Sequence, residues 1–168
     1  MIDPDGLIGA ARLLLGENNR GAPNQTRLRR AVSTAYYALF HAITRTAADA
    51  FVGAKYRKSP RYETVYRSFE HRRMNKSCDD VDKQLLGANA KKAIGAGNVS
   101  REIRNVANAF VKLQERRHWA DYSPIGKISR TEALDLVDLA DSAIAQPAAA
   151  NTEEQRNFLA YLMPSVRA

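Results

Sequence analysis

From Gln114 to Pro124 the chain reads Gln-Glu-Arg-Arg-His-Trp-Ala-Asp-Tyr-Ser-Pro, with two arginines, a histidine, a carboxylate and a tyrosine between Arg116 and Tyr122. Arginine grips phosphate through paired N–H donors, and histidine moves protons near neutral pH. Metal-free RNA cleavage needs a group that activates the 2′-hydroxyl and a cation for the charge that builds on the phosphate oxygens. Arg116, Arg117 and His118 are of the right types, and with Asp121 they form the candidate catalytic set. The plainer reading is structural. Arg117 and Asp121 are four residues apart, share a helix face, and would form an ion pair that finishes a core stripe with Tyr122 packed beneath. An exposed pair of this kind contributes only a few tenths of a kcal/mol (about 0.3–0.5). Neighbouring helical residues point about 100° apart, so Arg117 and His118 do not face the same way.

A second source of phosphate affinity is charge. The chain carries +8 net charge, with eight Lys or Arg between Lys55 and Lys76 against Glu63 and Glu70. Arg57, Lys58, Arg61, Arg67, Arg72 and Arg73 from this run, with Arg30 and Tyr122, are the candidate nucleic-acid or phosphate contacts. From Glu132 to Glu154 the balance reverses, with six acidic residues and no Lys or Arg. A basic balance favours polyanionic partners without specifying which; the structural alternative is two solvated helix faces.

Other chemistry is poorly supported. Cys78 is the only cysteine, so no intramolecular disulfide forms. It and three scattered histidines lack metal-ligand spacing, and no metal or cofactor is expected. Gly87, Gly95 and Gly97 lack the ending and the preceding strand of a phosphate loop. His41 reads as a core or interface histidine, His71 as surface packing, and Tyr36 and Tyr37 as packing residues, with hydroxyls that could alternatively line a groove near Arg116. No apolar run reaches the roughly 20 residues of a membrane span, and the N-terminus lacks a signal pattern. These features predict a cytoplasmic protein.

The elements that must position these residues read as helices. From Arg27 to Phe51, large apolar residues recur in steps of three and four at Leu28, Val32, Ala35, Tyr36, Leu39, Phe40, Ile43, Ala47 and Phe51. An earlier helix starts at Asp3-Pro4 and stops at Gly16, and Gly16 to Pro23 reads as a loop. Asn24 or Thr26 caps the long helix. A third helix starts at Ser59-Pro60 and ends before Ser77. The segment from Asp79 to Gly97 reads as irregular. Asn98 or Ser100 opens a fourth helix, closed by Pro124 and Gly126. Ser129 or Arg130 opens a fifth, stopped by Gln146-Pro147. Ala148 to Ala150 is a linker, and a sixth helix, capped by Asn151 or Thr152, runs through Phe158, Leu159 and Leu162. No segment alternates in the manner of a strand. The expected fold is an all-α antiparallel bundle of five to six helices, with a bundle domain over 1–147 and a C-terminal helical extension over 148–168.

The segment Arg30-Ala31-Val32-Ser33-Thr34-Ala35-Tyr36-Tyr37-Ala38-Leu39-Phe40-His41-Ala42 resembles the signature helix of HEPN domains (higher eukaryotes and prokaryotes nucleotide-binding). Arg116 to Tyr122 is similar to the later "R…ADY" segment of a prokaryotic subgroup, as is Tyr66 to Arg72. The resemblance covers Leu7 to Ile144. It implies a helical bundle that commonly dimerises. Many HEPN proteins are metal-independent ribonucleases, often toxins held by a nucleotidyltransferase-type antitoxin; others bind nucleotides or RNA without cleaving. The ribonuclease motif is Arg, four to six residues, then His. Here Arg116 followed by four residues reaches Asp121, and His118 stands too close to either arginine. A carboxylate there does not donate a proton at neutral pH.

The function expected on these grounds is RNA or nucleotide binding in a toxin–antitoxin or stress and defence system. Two alternatives stand beside it: a divergent metal-independent ribonuclease in which His118 or His71 serves, and a homodimeric interaction module.

Overall fold

The computed structural model describes residues 2–16, 23–146 and 152–164. These are all-helical, without a strand. Eight α-helices occur among them: α1 (Pro4–Leu14), α2 (Gln25–Phe51), α3 (Pro60–Arg67), α4 (His71–Asp82), α5 (Ala88–Ile94), α6 (Arg101–Tyr122), α7 (Arg130–Ala145) and α8 (Thr152–Leu162), with a 3₁₀ turn at Ala54–Tyr56. No helix among the described residues is long and apolar enough to cross a membrane. The expected linker at Ala148–Ala150, the Asn151 cap and most of the loop after Gly16 lie outside the described residues.

The caps explain why the helices begin where they do. The Asp3 carboxylate accepts from the Gly6 amide, with Pro4 at the first turn of α1. Asn24, rather than Thr26, caps α2 by accepting from the Arg27 amide at 3.0 Å. Ser59 with Pro60 starts α3. Ser100 accepts from Ile103 at α6, and Ser129 accepts from Glu132 at α7.

The helix count exceeds the expected five to six for two local reasons. The single helix expected from Ser59 to Ser77 is two, broken over Ser68–Glu70. There the Ser68 hydroxyl donates to the Val65 carbonyl, and the Phe69 side chain is buried. Such side-chain bonds compete with the helical ladder. The segment from Asp79 to Gly97, expected to be irregular, continues α4 to Asp82 and contains α5. Arg104 of α6 donates to the Asp82 and Lys83 carbonyls just where α4 ends.

The described chain divides into two compact units. One comprises residues up to His41 with Ala109–Ala145, and the other comprises Ala42–Asn108 with the residues from Gln146 onward. In the first, α1 packs on α7. Arg12 reaches Asp138 at 2.8 Å and Asp141 at 3.0 Å, and Arg130 donates to the Leu15 carbonyl. Its core holds Ile8, Ala11 and Leu15 with Leu28, Val32, Tyr36, Leu39, Phe110, Leu113 and Val137. In the second unit, α8 packs on α4 and α5. Ser77 donates to the Tyr161 carbonyl, Tyr161 to Asp80, and Asn157 to the Ile94 carbonyl. Phe158, Leu159 and Leu162 are buried, as their spacing predicts.

The second unit also contains a linked set at Asp49. Its carboxylate accepts from Arg57 at 2.6 Å and from the Tyr62 hydroxyl at 2.9 Å. Burial by itself raises the Asp49 carboxyl, but the bonds from Arg57 and Tyr62 outweigh it and the group lies below its ordinary 3.8. Burial and the Asp49 charge push the Tyr62 phenol up to about 12. A carboxyl depressed on folding stabilises the fold above its unfolded value, and that contribution is lost as pH falls through the folded value. Melting temperature followed from pH 7 down to pH 2 should therefore fall less steeply for Asp49→Asn than for the parent below about pH 4. An identical slope for the two would contradict the linkage.

Candidate nucleotide-binding cleft

Within the first unit, α2 and the end of α6 meet along a polar stripe that runs beside the apolar one. Thr26, Arg29, Arg30, Ser33 and Tyr37 recur at three- and four-residue steps on α2, so they share a side of the helix. Tyr36, one position away, is fully buried, with its ring centroid 5.6 Å from Phe110 and 5.4 Å from Tyr37.

Arg117 points inward onto this stripe. Its Nη2 donates to the Tyr37 hydroxyl at 2.9 Å, and the guanidinium lies 5.7 Å from the Tyr36 ring and 5.5 Å from the Tyr37 ring. Arg117 Nε is 2.9 Å from Asp121 Oδ2, and both side chains are 21% exposed. The proximity is that of an ion pair, yet the buried Nε–H makes no aligned hydrogen bond among the described residues. The attraction is therefore coulombic more than directional. Burial lowers the tendency of Arg117 to hold its proton, but the Tyr37 hydroxyl and the Asp121 carboxylate more than offset this and hold the guanidinium above its ordinary value. Asp121 is held on its other side as well, because Ser33 Oγ donates to Oδ1 at 2.6 Å.

The expected Arg117–Asp121 pair is thus present, but Tyr122 does not pack beneath it. Tyr122 is 66% exposed and lies against the exposed His118, ring centroids 4.9 Å apart. Arg116 faces elsewhere. It pairs with Glu132 and stacks on Trp119, beside a cavity of about 280 Å³ lined by Lys112, Arg116, Glu132, Asp135 and Leu136. The four candidate catalytic residues are consequently spread around the helix. Arg117 and Asp121 engage each other, Arg116 engages Glu132, and His118 faces solvent.

An open cleft of about 350 Å³ lies where α2 begins and α6 ends, lined by Thr26, Arg29, Arg30, Ala120, Asp121 and Tyr122. Arg29 builds its wall. The guanidinium donates to the Ser123 carbonyl at 2.6 Å and to the Gly126 carbonyl at 2.8 Å, and lies 5.2 Å from the Trp119 ring. The Gln25 amide adds a second clamp, donating to the Ile128 carbonyl and accepting from its N–H, both at 2.9 Å. Arg30 is exposed, and its guanidinium has no ion pair or hydrogen bond among the described residues. The cleft therefore offers an exposed cation without a partner among the described residues, an exposed aromatic face and a carboxylate.

The remaining phosphate candidates belong to the second unit and are partly neutralised there. Arg57 pairs with Asp49 and Arg67 with Glu63. Arg61 stacks 3.6 Å over the Tyr56 ring, and Arg73 is half-buried. Lys58 and Arg72 stay exposed. His41 stacks on Tyr37 within the first unit. Among the described residues no three His, Cys, Asp or Glu side chains converge as a metal site would require.

Ser33, Arg29 and Thr26 do not stand out as site residues in the sequence, and the Tyr37 hydroxyl, expected near Arg116 if it lines a groove, meets Arg117 instead. The signal that finds them is the polar stripe on α2, hidden beside a stronger apolar one. Comparison of the chain with protein-family models, with curated proteins and with solved structures gave no match.

Proposed function

We propose that this chain is a HEPN-like RNA- or nucleotide-binding protein of a toxin–antitoxin or stress and defence type. In this reading it holds phosphate at Arg30 and stacks a base on Tyr122. The observation that carries the proposal is the cleft that joins an exposed arginine, Arg30, without an ion pair among the described residues, to an exposed tyrosine. Single-stranded nucleic acid is bound by this combination of cation and aromatic platform, and the stacking part tolerates any base. The exposed Lys58 and Arg72 add attraction without specificity. Arg117 is committed to Tyr37 and Asp121, which argues against a cleavage role for it in this arrangement. The resemblance that suggests the function also suggests a homodimer and a nucleotidyltransferase-type antitoxin as partner.

Trp119 is the only tryptophan and stacks on Arg29 in the cleft wall, so it serves as an intrinsic reporter. Titration with single-stranded RNA should change its fluorescence saturably. Tyr122→Ala should weaken binding by about 1–3 kcal/mol, the usual worth of one stacked base. Equal affinity of the parent and Tyr122→Ala would reject the cleft as the site.

A second reading, a divergent metal-independent ribonuclease, rests on the exposed His118 imidazole beside Tyr122. It requires RNA cleavage in the presence of chelator that is lost in His118→Ala. Cleavage that survives this substitution, or no cleavage at all, would remove it.

A further inference from the structure

Ser33 and Arg117 are absent from the cleft lining but both meet one of its lining residues, Asp121. Ser33 is 3% exposed, and its hydroxyl is directed at Asp121. Arg117 presents a buried Nε–H toward the same carboxylate without an aligned hydrogen bond. Asp121 itself lines the cleft. One carboxylate thus separates the open cleft from a hydroxyl donor and a guanidinium.

We propose that Asp121 is a built-in plug over a second phosphate subsite made by Arg117 and Ser33, which a phosphate-bearing RNA strand in the cleft occupies when the carboxylate swings out. The proposal rests on the reading that the cleft binds phosphate. Three features carry it further. The guanidinium does not depend on Asp121 for its position, because the Tyr37 hydroxyl and the faces of Tyr36 and Tyr37 hold it independently. The carboxylate's two oxygens each meet one donor, as two oxygens of a phosphate would, and a phosphate is the better acceptor for a guanidinium fork. Finally, Asp121 stands in the last turn of α6, one residue before its end at Tyr122. Helix ends have unpaired carbonyls and yield more readily than helix interiors.

In this arrangement the plug sets the affinity of the resting protein. Arg30 takes the first phosphate in the open cleft, and a neighbouring phosphate of the strand competes with Asp121 for Arg117 and Ser33. Removing the carboxylate charge should therefore tighten binding, the opposite of what removal of an ordinary contact residue does.

The test uses the full chain and a fluorescein-labelled single-stranded RNA 12-mer. Affinity is measured by anisotropy at several salt concentrations for the parent, Asp121→Asn, Arg117→Ala, the double variant, Arg30→Ala and Glu115→Gln. Glu115→Gln removes an exposed carboxylate from the same helix and controls for bulk charge. Asp121→Asn should bind about fivefold or more tighter than the parent, with the log–log salt slope steeper by about 0.7, as for one further phosphate on a single strand. That gain should vanish on the Arg117→Ala background, and Glu115→Gln should change affinity less than twofold. Equal or weaker binding by Asp121→Asn, or a gain that persists without Arg117, would overturn the plug. If Asp121→Asn loses cooperative melting, Asp121→Ser carries the same comparison. Arg30→Ala separates the two layers. Lost binding in Arg30→Ala with no gain in Asp121→Asn rejects the plug and keeps the cleft. Unchanged binding in Arg30→Ala rejects the cleft, and the plug with it.

Discussion

Tyr36→Ala should lower the stability of the chain by about 3–5 kcal/mol, the range for truncating a large buried aromatic side chain. Tyr36 is fully buried and packs its ring against Tyr37, Phe40 and Phe110. The cost includes lost apolar burial and a cavity that neighbours on two helices cannot close. For a chain of this length, 1 kcal/mol corresponds to about 2–4 °C in melting temperature, so a drop of about 10–15 °C is expected. Tyr36→Phe keeps the ring and should retain most of the stability. A drop of only a few degrees in Tyr36→Ala would show that α2 and α6 are not packed through this residue. The site should suffer as well, since the Arg117 guanidinium rests against the Tyr36 ring.

Gly126→Ala should be costly for a different reason. A methyl group there would lie 2.3 Å from Trp119 Cζ2, 2.7 Å from Cε2 and 2.8 Å from Ser123 Oγ. Carbon atoms do not approach so closely, and the indole cannot simply retreat, because Arg29 and Arg116 both stack on it. Overpacking against a rigid ring costs about 1–3 kcal/mol, and here the upper end applies. The same displacement would break the Arg29 bond to the Gly126 carbonyl and loosen the cleft wall. The expected result is a melting temperature lower by about 6–10 °C, with RNA affinity reduced alongside it. Parent-like melting would mean that the indole has room to move.

Gly126 also illustrates what a linear reading can and cannot see. In the sequence it reads as a helix stop together with Pro124. In the structure α6 ends at Tyr122, and Gly126 is needed because Trp119 folds against its backbone. The apolar stripe of α2 was legible because helical periodicity is a local property, and of its nine residues only Phe51 is exposed. Caps at Asp3, Ser59, Ser100 and Ser129 were legible for the same reason. The break after Arg67 was not, since it depends on Phe69 finding a core. Nor was α5, which packs on α8 and whose last carbonyl, that of Ile94, accepts from Asn157 63 positions further along the chain. At the site, the Arg117–Asp121 pair followed from its four-residue spacing. The bond from Ser33 to Asp121 joins residues 88 positions apart, and no spacing rule reaches across that separation.

The most direct test of the account is the salt dependence of RNA binding, compared for the parent, Arg30→Ala, and a Lys58→Ala/Arg72→Ala double variant. If the cleft holds phosphate, Arg30→Ala should reduce affinity by about 1.5–3 kcal/mol, the usual worth of a hydrogen bond to a charged group. Its salt slope should become shallower by about 0.7. The double variant should lower affinity less at physiological salt, because exposed cations contribute mainly long-range, screened attraction. A parent-like affinity and slope for Arg30→Ala, with the whole loss in the double variant, would contradict the cleft and place nucleic-acid affinity in the basic run alone.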